Sequence, residues 1–189
     1  MSKITAYASN SAPADADVLA SVDVSDASMA ASGTTKKLAL SDLRTYVKTG
    51  PAFANGQPAN PAATASLTAV MMGVGGTCKI TPGSSGKVLV NLRCLAFTNT
   101  AIVNFTVGCR FSTGTAPTNG AAVSGTRWGA AADDVLFATK IAVGMPLSYT
   151  DILTLTPATA YWFDIALLTS VGADTAAVTD ISFTALEIS

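Results

Sequence analysis

Histidine is absent from the 189 residues. That removes the side chain most often used as a general base near neutral pH and the commonest nitrogen ligand for metals. Charge is scarce too. Asp, Glu, Lys and Arg make up 12% of the chain, where a soluble domain usually carries about a quarter. The 11 basic and 12 acidic residues leave a net charge of -1, so there is no basic field to hold nucleic acid or anionic lipid by counterion release. Long apolar runs are missing as well. The longest tract, Leu67 to Val74, is interrupted by Thr68 and Gly73 and falls well short of the roughly 18 to 20 residues of a membrane span. Met1 to Thr5 begin no apolar leader segment, so synthesis and retention in a cytosol are expected. Cysteine occurs three times, as Cys78, Cys94 and Cys109. An odd number at wide spacing fits neither a disulfide framework nor a Cys-x-x-Cys metal knuckle, and buried free thiols are expected. These absences point away from enzymes, cofactor or metal proteins, nucleic-acid binders and membrane proteins, and towards a structural or adhesive role.

What the chain does contain is apolar residues, 49% of the total, many of them Ala, set among abundant Thr and Ser. That is the composition of a β-rich packing protein. Residues 1 to 17 lack periodicity and read as an extended arm. Val18, Ala20, Val22 and Val24 then alternate at period two, a Ser, Asp and Gly-rich turn follows to Gly33, and Thr34 to Leu40 returns as a second strand. Ser41 is a good helix N-cap, Leu43 and Val47 are one helical turn apart, and Gly50-Pro51 is a stop signal. Residues 1–49 therefore predict a β-hairpin followed by a short helix. Such a unit is too small to stand alone and needs a neighbour to cover it. Residues 50–62 hold Pro51, Pro58 and Pro61 in a polar stretch and read as a semi-stiff spacer.

Residues 63–189 predict strand after strand: 65–72, 77–80, 87–97, 101–111, 135–137, 141–149, 161–169 and 178–188, separated by Gly, Pro, Asn and Asp clusters. Eight strands suggest an antiparallel sandwich, and the long segment from Ser112 to Asp134 reads as a crossover of the kind found in jelly rolls. In the last strand neither parity is purely apolar, although Ile181 and Phe183 are expected to face the core. Met71 and Met72 read as gap-filling core residues.

Few residues offer chemistry. Asp133-Asp134 is the one adjacent carboxylate pair; it lacks convergent partners and reads as solvated. Gly73, Gly75 and Gly76 lack the Gly-Lys-Ser/Thr of a phosphate loop and read as a bend. Ser84-Ser85-Gly86 supplies hydroxyls without a base to activate them. Lys36 and Lys37 form a small cation pair, read either as a solvent-facing edge or as a contact with an acidic partner. Arg127 and Trp128 form the one cation and aromatic pair placed on a loop. They read either as a binding surface for a sugar or protein or, in the case of Trp128, as a plug for the end of its own sandwich. No catalytic, cofactor or metal residue is assigned.

Two stretches resemble modules of tailed-bacteriophage virion proteins. The first runs from Val22-Asp23-Val24 through Ala27-Ser28-Met29-Ala30-Ala31-Ser32-Gly33-Thr34-Thr35-Lys36-Lys37 to Leu38 and Val47, and it is similar to a short module near the N-terminus of fibres. The second includes Ile80-Thr81-Pro82-Gly83-Ser84-Ser85-Gly86-Lys87, Arg110-Phe111-Ser112-Thr113-Gly114 and Leu155-Thr156-Pro157-Ala158-Thr159-Ala160-Tyr161-Trp162-Phe163, and it resembles a small β-domain of fibre and decoration proteins. The resemblance implies a homotrimer with a jelly-roll-like head, mounted in the virion after synthesis in the bacterial cytoplasm. It also implies an N-terminal docking module, carried by Val18, Val22, Val24, Lys36, Lys37, Leu38, Leu40, Leu43 and Val47, that binds other virion proteins. A short adhesive fibre contacting a host-surface glycan or protein is the leading expectation. A capsid decoration or head-fibre protein and a soluble lectin-like module are the alternatives.

Overall fold

Apolar and polar residues alternate without a break from Lys87 to Thr98, with Val88, Val90, Leu92, Cys94, Ala96 and Thr98 all buried. A strand with one such face must be covered by another layer, and the rest of its unit supplies it. The computed structural model describes residues 18–23, 34–39, 51–99, 103–129, 135–139 and 144–188. It divides into two units, Met1–Gly50 and Pro51–Ser189.

In the first unit, β1 (Val18–Asp23) and β2 (Thr34–Ala39) pair antiparallel, with Val18 opposite Ala39, Val22 opposite Thr35, and Lys36 and Lys37 opposite Ser21 and Ala20. The helix expected at Ser41, along with Val24, Leu40, Leu43 and Val47, lies outside the described residues.

The second unit contains β3 (Phe53–Gly56), β4 (Val70–Met71), β5 (Lys79–Ile80), β6 (Lys87–Thr98), β7 (Val103–Thr113), β8 (Thr126–Trp128), β9 (Val135–Thr139), β10 (Met145–Thr154), β11 (Tyr161–Thr169) and β12 (Ala176–Glu187). One sheet has the order β10-β6-β12-β3. The other has the order β4-β11-β7-β8, with β5 also on β11 and β9 also on β7. The split pairs β4/β5 and β8/β9 each occupy one position, which leaves eight positions. Numbered along the chain, the sheets read first–eighth–third–sixth and second–seventh–fourth–fifth. This is jelly-roll topology, an antiparallel β-sandwich in which nearly every connection passes from one sheet to the other.

Residues 50–62 are not purely a spacer. Phe53–Gly56 pairs with β12 from Phe183 to Leu186, because the edge of β12 offers ladder groups that a short Pro-free stretch can meet. The segment from Ser112 to Asp134 is likewise no simple crossover. Thr126–Trp128 folds back onto β7, pairing Cys109 with Trp128 and Phe111 with Thr126. The strand expected at 141–149 is observed at Met145–Thr154. Its second half alternates exposed Thr150, Ile152 and Thr154 with half-buried Asp151 and Leu153, a pattern suited to a sheet edge.

The mixed parity of the last strand has a direct cause. Pairing of β12 with β6 runs through Thr179, breaks, and resumes at Ser182. Asp180 sits in the break with φ +51°. This bulge inserts a residue, so Ala176 and Val178 point into the core before it and Ile181, Phe183 and Ala185 after it. An aromatic centre fills the sandwich. Phe163 lies 5.8 Å from Phe111, 5.7 Å from Trp128 and 5.1 Å from Phe183, measured between ring centroids.

The two outer faces are treated differently. Outside β11, Trp162 and Ala166 pack with Met71 in a second cluster that Ala69, Ala116 and Ala121 help to close. The 114–122 loop is pinned over them by Met71 N–H donating to Ala121 O and Gly120 N–H to Met71 O, both at 2.8 Å. On the opposite sheet, β10-β6-β12-β3, the register sets Ile152, Leu89, Leu186 and Phe53 side by side across all four strands. They are 57%, 37%, 39% and 64% exposed.

Candidate functional site

Glu187 continues the inward parity of Ile181, Phe183 and Ala185, so its carboxylate arrives at a position where a charge is costly unless it is fully bonded. It is only 2% exposed. The loop Pro82-Gly83-Ser84-Ser85-Gly86 turns its amides towards it. Oε1 accepts from the N–H of Ser84 at 2.8 Å, Ser85 at 2.7 Å and Gly86 at 3.0 Å, and from Ser85 Oγ at 3.1 Å. Oε2 accepts from Gly83 N–H at 2.7 Å and Ala52 N–H at 2.9 Å. Successive amides facing one point make an anion-binding concavity, and here the anion belongs to the same chain. The Ala52 amide first, with those of Gly83, Gly86 and Ser84, holds the Glu187 carboxyl far below the usual range.

A second carboxylate is caught in the same manner. Asp164 is fully buried beneath the bend at Gly73 to Gly76. It accepts from Gly73 N–H at 3.1 Å, Val74 N–H at 3.1 Å and Ile165 N–H at 2.7 Å. Burial nonetheless pushes its pKa up, against the pull of these amides and that of Gly75. The glycine cluster therefore does form a bend, and the amides of Gly73, Val74 and Gly75 are already occupied by Asp164. Cys78, Cys94 and Cys109 are buried free thiols. Burial pushes Cys78 and Cys94 up to about 12 and Cys109 well above its ordinary value.

Trp128 is 4% exposed and belongs to the core, with its ring edge-on to Phe163. An exposed Arg127–Trp128 platform does not form. The pleat sends the two side chains to opposite faces of β8, Arg127 opposite Arg110 and Trp128 opposite Cys109. Trp128 Nε1 is buried with no hydrogen-bond acceptor among the described residues. Asp133 and Asp134 lie outside the described residues, and no group of three Cys, Asp or Glu side chains converges among those described.

Several open features of the surface lie on the β10-β6-β12-β3 sheet. Besides the apolar row, the Asp180 bulge parts two depressions that share Asp180 and Ser182. One, of about 460 Å³, lies under the 57–60 segment. The other, of about 290 Å³, is lined by Arg93, Leu95, Pro146, Leu147 and Ser148. Asn60 fixes the bulge through its Oδ1, which accepts Asp180 N–H at 3.0 Å. The mixed parity of the last strand was the one sign of this place in the sequence, and a bulge is a property of pairing that parity alone does not locate.

No protein-family model matches the chain, and no curated protein sequence matches it. Among solved structures it is similar to a chain of infectious bursal disease virus, Gx strain, with a TM-score of 0.47 and 10% identity over 72% of this chain. The match covers 32% of that chain, so the present chain spans about a third of its length.

Proposed function

We propose that the chain is a non-enzymatic structural protein of a bacteriophage virion, a short homotrimeric fibre with an N-terminal docking unit and an adhesive jelly-roll head. The observation that carries this reading is the contrast between the head's two outer faces. One is covered by the chain's own loop. The other leaves Phe53, Leu186, Leu89 and Ile152 in a continuous exposed row. Beside that row, Asn55, Thr184, Asn91 and Thr150 form an uncharged row, and on its other side lies the exposed Lys87 opposite Thr154.

A second copy of the chain is the occupant that fits. The part of the face that carries these two rows is four strands wide and about five residues long, on the order of 300 Å², and it leaves the Asp180 end of the sheet uncovered. A standard stable interface buries about 800 Å² per partner, so this patch serves as the apolar centre of an interface whose rim comes from the rest of the chain. The resemblance of residues 22–47 to fibre docking modules supports the virion setting, and the jelly-roll head fits the same role.

Light scattering on the purified full chain tests the assembly. A trimer is expected, and the paired change Phe53→Ser with Ile152→Ser should shift it towards monomer. A monomeric wild-type chain sinks the assembly reading. Capsid decoration uses the same architecture, and copy number in imaged particles separates the two: few copies at the tail for a fibre, many at repeating lattice positions for decoration.

A further inference from the structure

We propose that the cleft divided by Asp180 to Ser182 binds a neutral oligosaccharide. The bulge needs a left-handed residue, a role glycine fills with least strain. The position instead carries an aspartate with φ +51°, exposed at the junction of the two depressions. Only its backbone N–H is engaged, by Asn60, and the carboxylate has no hydrogen bond or ion pair among the described residues. Backbone strain held at an open cleft is a mark of function when the strained residue adds a group the fold itself does not use.

Other polar groups converge on the same place. Arg93 is exposed and stands opposite Ser182 on one side and Ser148 on the other. Gln57 and Asn60 border the larger depression. The ladder is open here as well, since β3 ends at Gly56 opposite Phe183 and pairing with β6 is broken between Thr179 and Ser182.

These groups select a ligand class. Planar carboxylate, amide and guanidinium groups match pairs of adjacent hydroxyls, each of which both donates and accepts. Leu95 and Pro146 in the smaller depression offer an apolar surface for the C–H face of a sugar ring. The charges are one of each sign, so an anionic ligand would meet Asp180 and a cationic one Arg93. A neutral polyhydroxyl ligand avoids both penalties. The larger depression, at about 460 Å³, lies within the range of small-ligand sites.

The inference names a ligand for the adhesive head, and it is tested on the purified full chain so that its failure leaves virion assembly untouched. Wild-type protein is applied to an array of neutral hexose and N-acetylhexosamine oligosaccharides together with their uronic- and sialic-acid counterparts, and the strongest binder is titrated by NMR. Neutral glycans should bind. Asp180→Gly keeps the left-handed backbone and its N–H to Asn60 while removing the carboxylate. It should weaken binding by about tenfold or more, the loss expected for a charge-assisted hydrogen bond, with an unchanged or higher melting temperature. Arg93→Gln should weaken binding in the same direction. No neutral glycan bound at millimolar concentration, preference for acidic glycans, or full binding by Asp180→Gly would each overturn the proposal.

Discussion

Glu187 and Ala52 hold each other from both sides: Ala52 N–H donates to Glu187 Oε2 at 2.9 Å, and Glu187 N–H donates to Ala52 O at 2.7 Å. The start of the head's chain is thereby fastened to the end of its last strand. The same carboxylate organises the 83–86 loop, so one side chain ties three remote segments together.

Glu187→Gln should lower the melting temperature at neutral pH, by roughly 5 °C on the usual scaling for a domain of this size. The folded carboxyl titrates far below its ordinary value. The stability it contributes is therefore complete above the ordinary glutamate range and is lost as pH falls through the lowered folded value. The gap between wild type and variant should be widest near neutrality and should close in acid. A gap that does not change with pH would show that the carboxylate's charge is not what stabilises the loop.

Asp164 has the opposite sign. Its folded pKa is raised, so the folded state holds this proton more tightly than the unfolded chain, and stability falls as pH rises from the ordinary aspartate value through the raised one. Asp164→Asn removes that dependence while losing some amide partners. Denaturant titrations across pH should show the variant gaining on wild type as pH increases.

Gly86→Ala should be strongly destabilising. Gly86 has φ +68°, and an added Cβ would meet the carbonyl oxygen of Leu155 at a separation no real structure accepts. Gly108→Ala is the control, because nothing lies within 4 Å of its added Cβ. A loss of about 2 kcal/mol or more is expected for the first and a change within about 0.5 kcal/mol for the second. Equal losses in chemical denaturation would contradict the close approach at Leu155.

Phe163→Ala removes the ring that touches Phe111, Trp128 and Phe183 and should cost about 3–5 kcal/mol. The chain has two tryptophans, Trp128 and Trp162, both buried. Native emission should be blue-shifted and should move red in one step on unfolding. An emission maximum already at the solvent-exposed position would be inconsistent with the buried placement of Trp128.

The three thiols should be silent in the native protein. With Cys78 and Cys94 pushed up to about 12, thiolate at pH 8 is on the order of one part in ten thousand. A chromogenic disulfide reagent should titrate no cysteine quickly in buffer and three in denaturant.

The strands with regular alternation were legible in the sequence. Tyr161–Thr169 has the predicted bounds, and β6 and β7 differ from expectation only at their ends. β12 was legible as a strand but not as a face, because the Asp180 bulge reverses its parity midway. β3 and β8 were hidden for another reason. Their four and three residues are too few to show a period, and they are strands only because β12 and β7 offer them an edge. The Glu187 clasp joins residues more than a hundred positions apart. Its one local sign was an acidic residue continuing an apolar face, which demands a partner without naming it. Trp128 read either as surface or as plug because the sequence gives no view of which face of a three-residue strand points inward, and it is buried.

The Glu187 and Ala52 pairing also decides how the head answers to tension. A pull arriving along the chain at Pro51 reaches Ala52 before it reaches β3, and the two bonds to Glu187 divert part of that pull into β12, a strand flanked on both sides and seated mid-sheet. The tether is thus spliced into the interior of the sandwich rather than sewn to its hem, and a protein anchored at one end while its head is dragged would resist peeling from the edge inward.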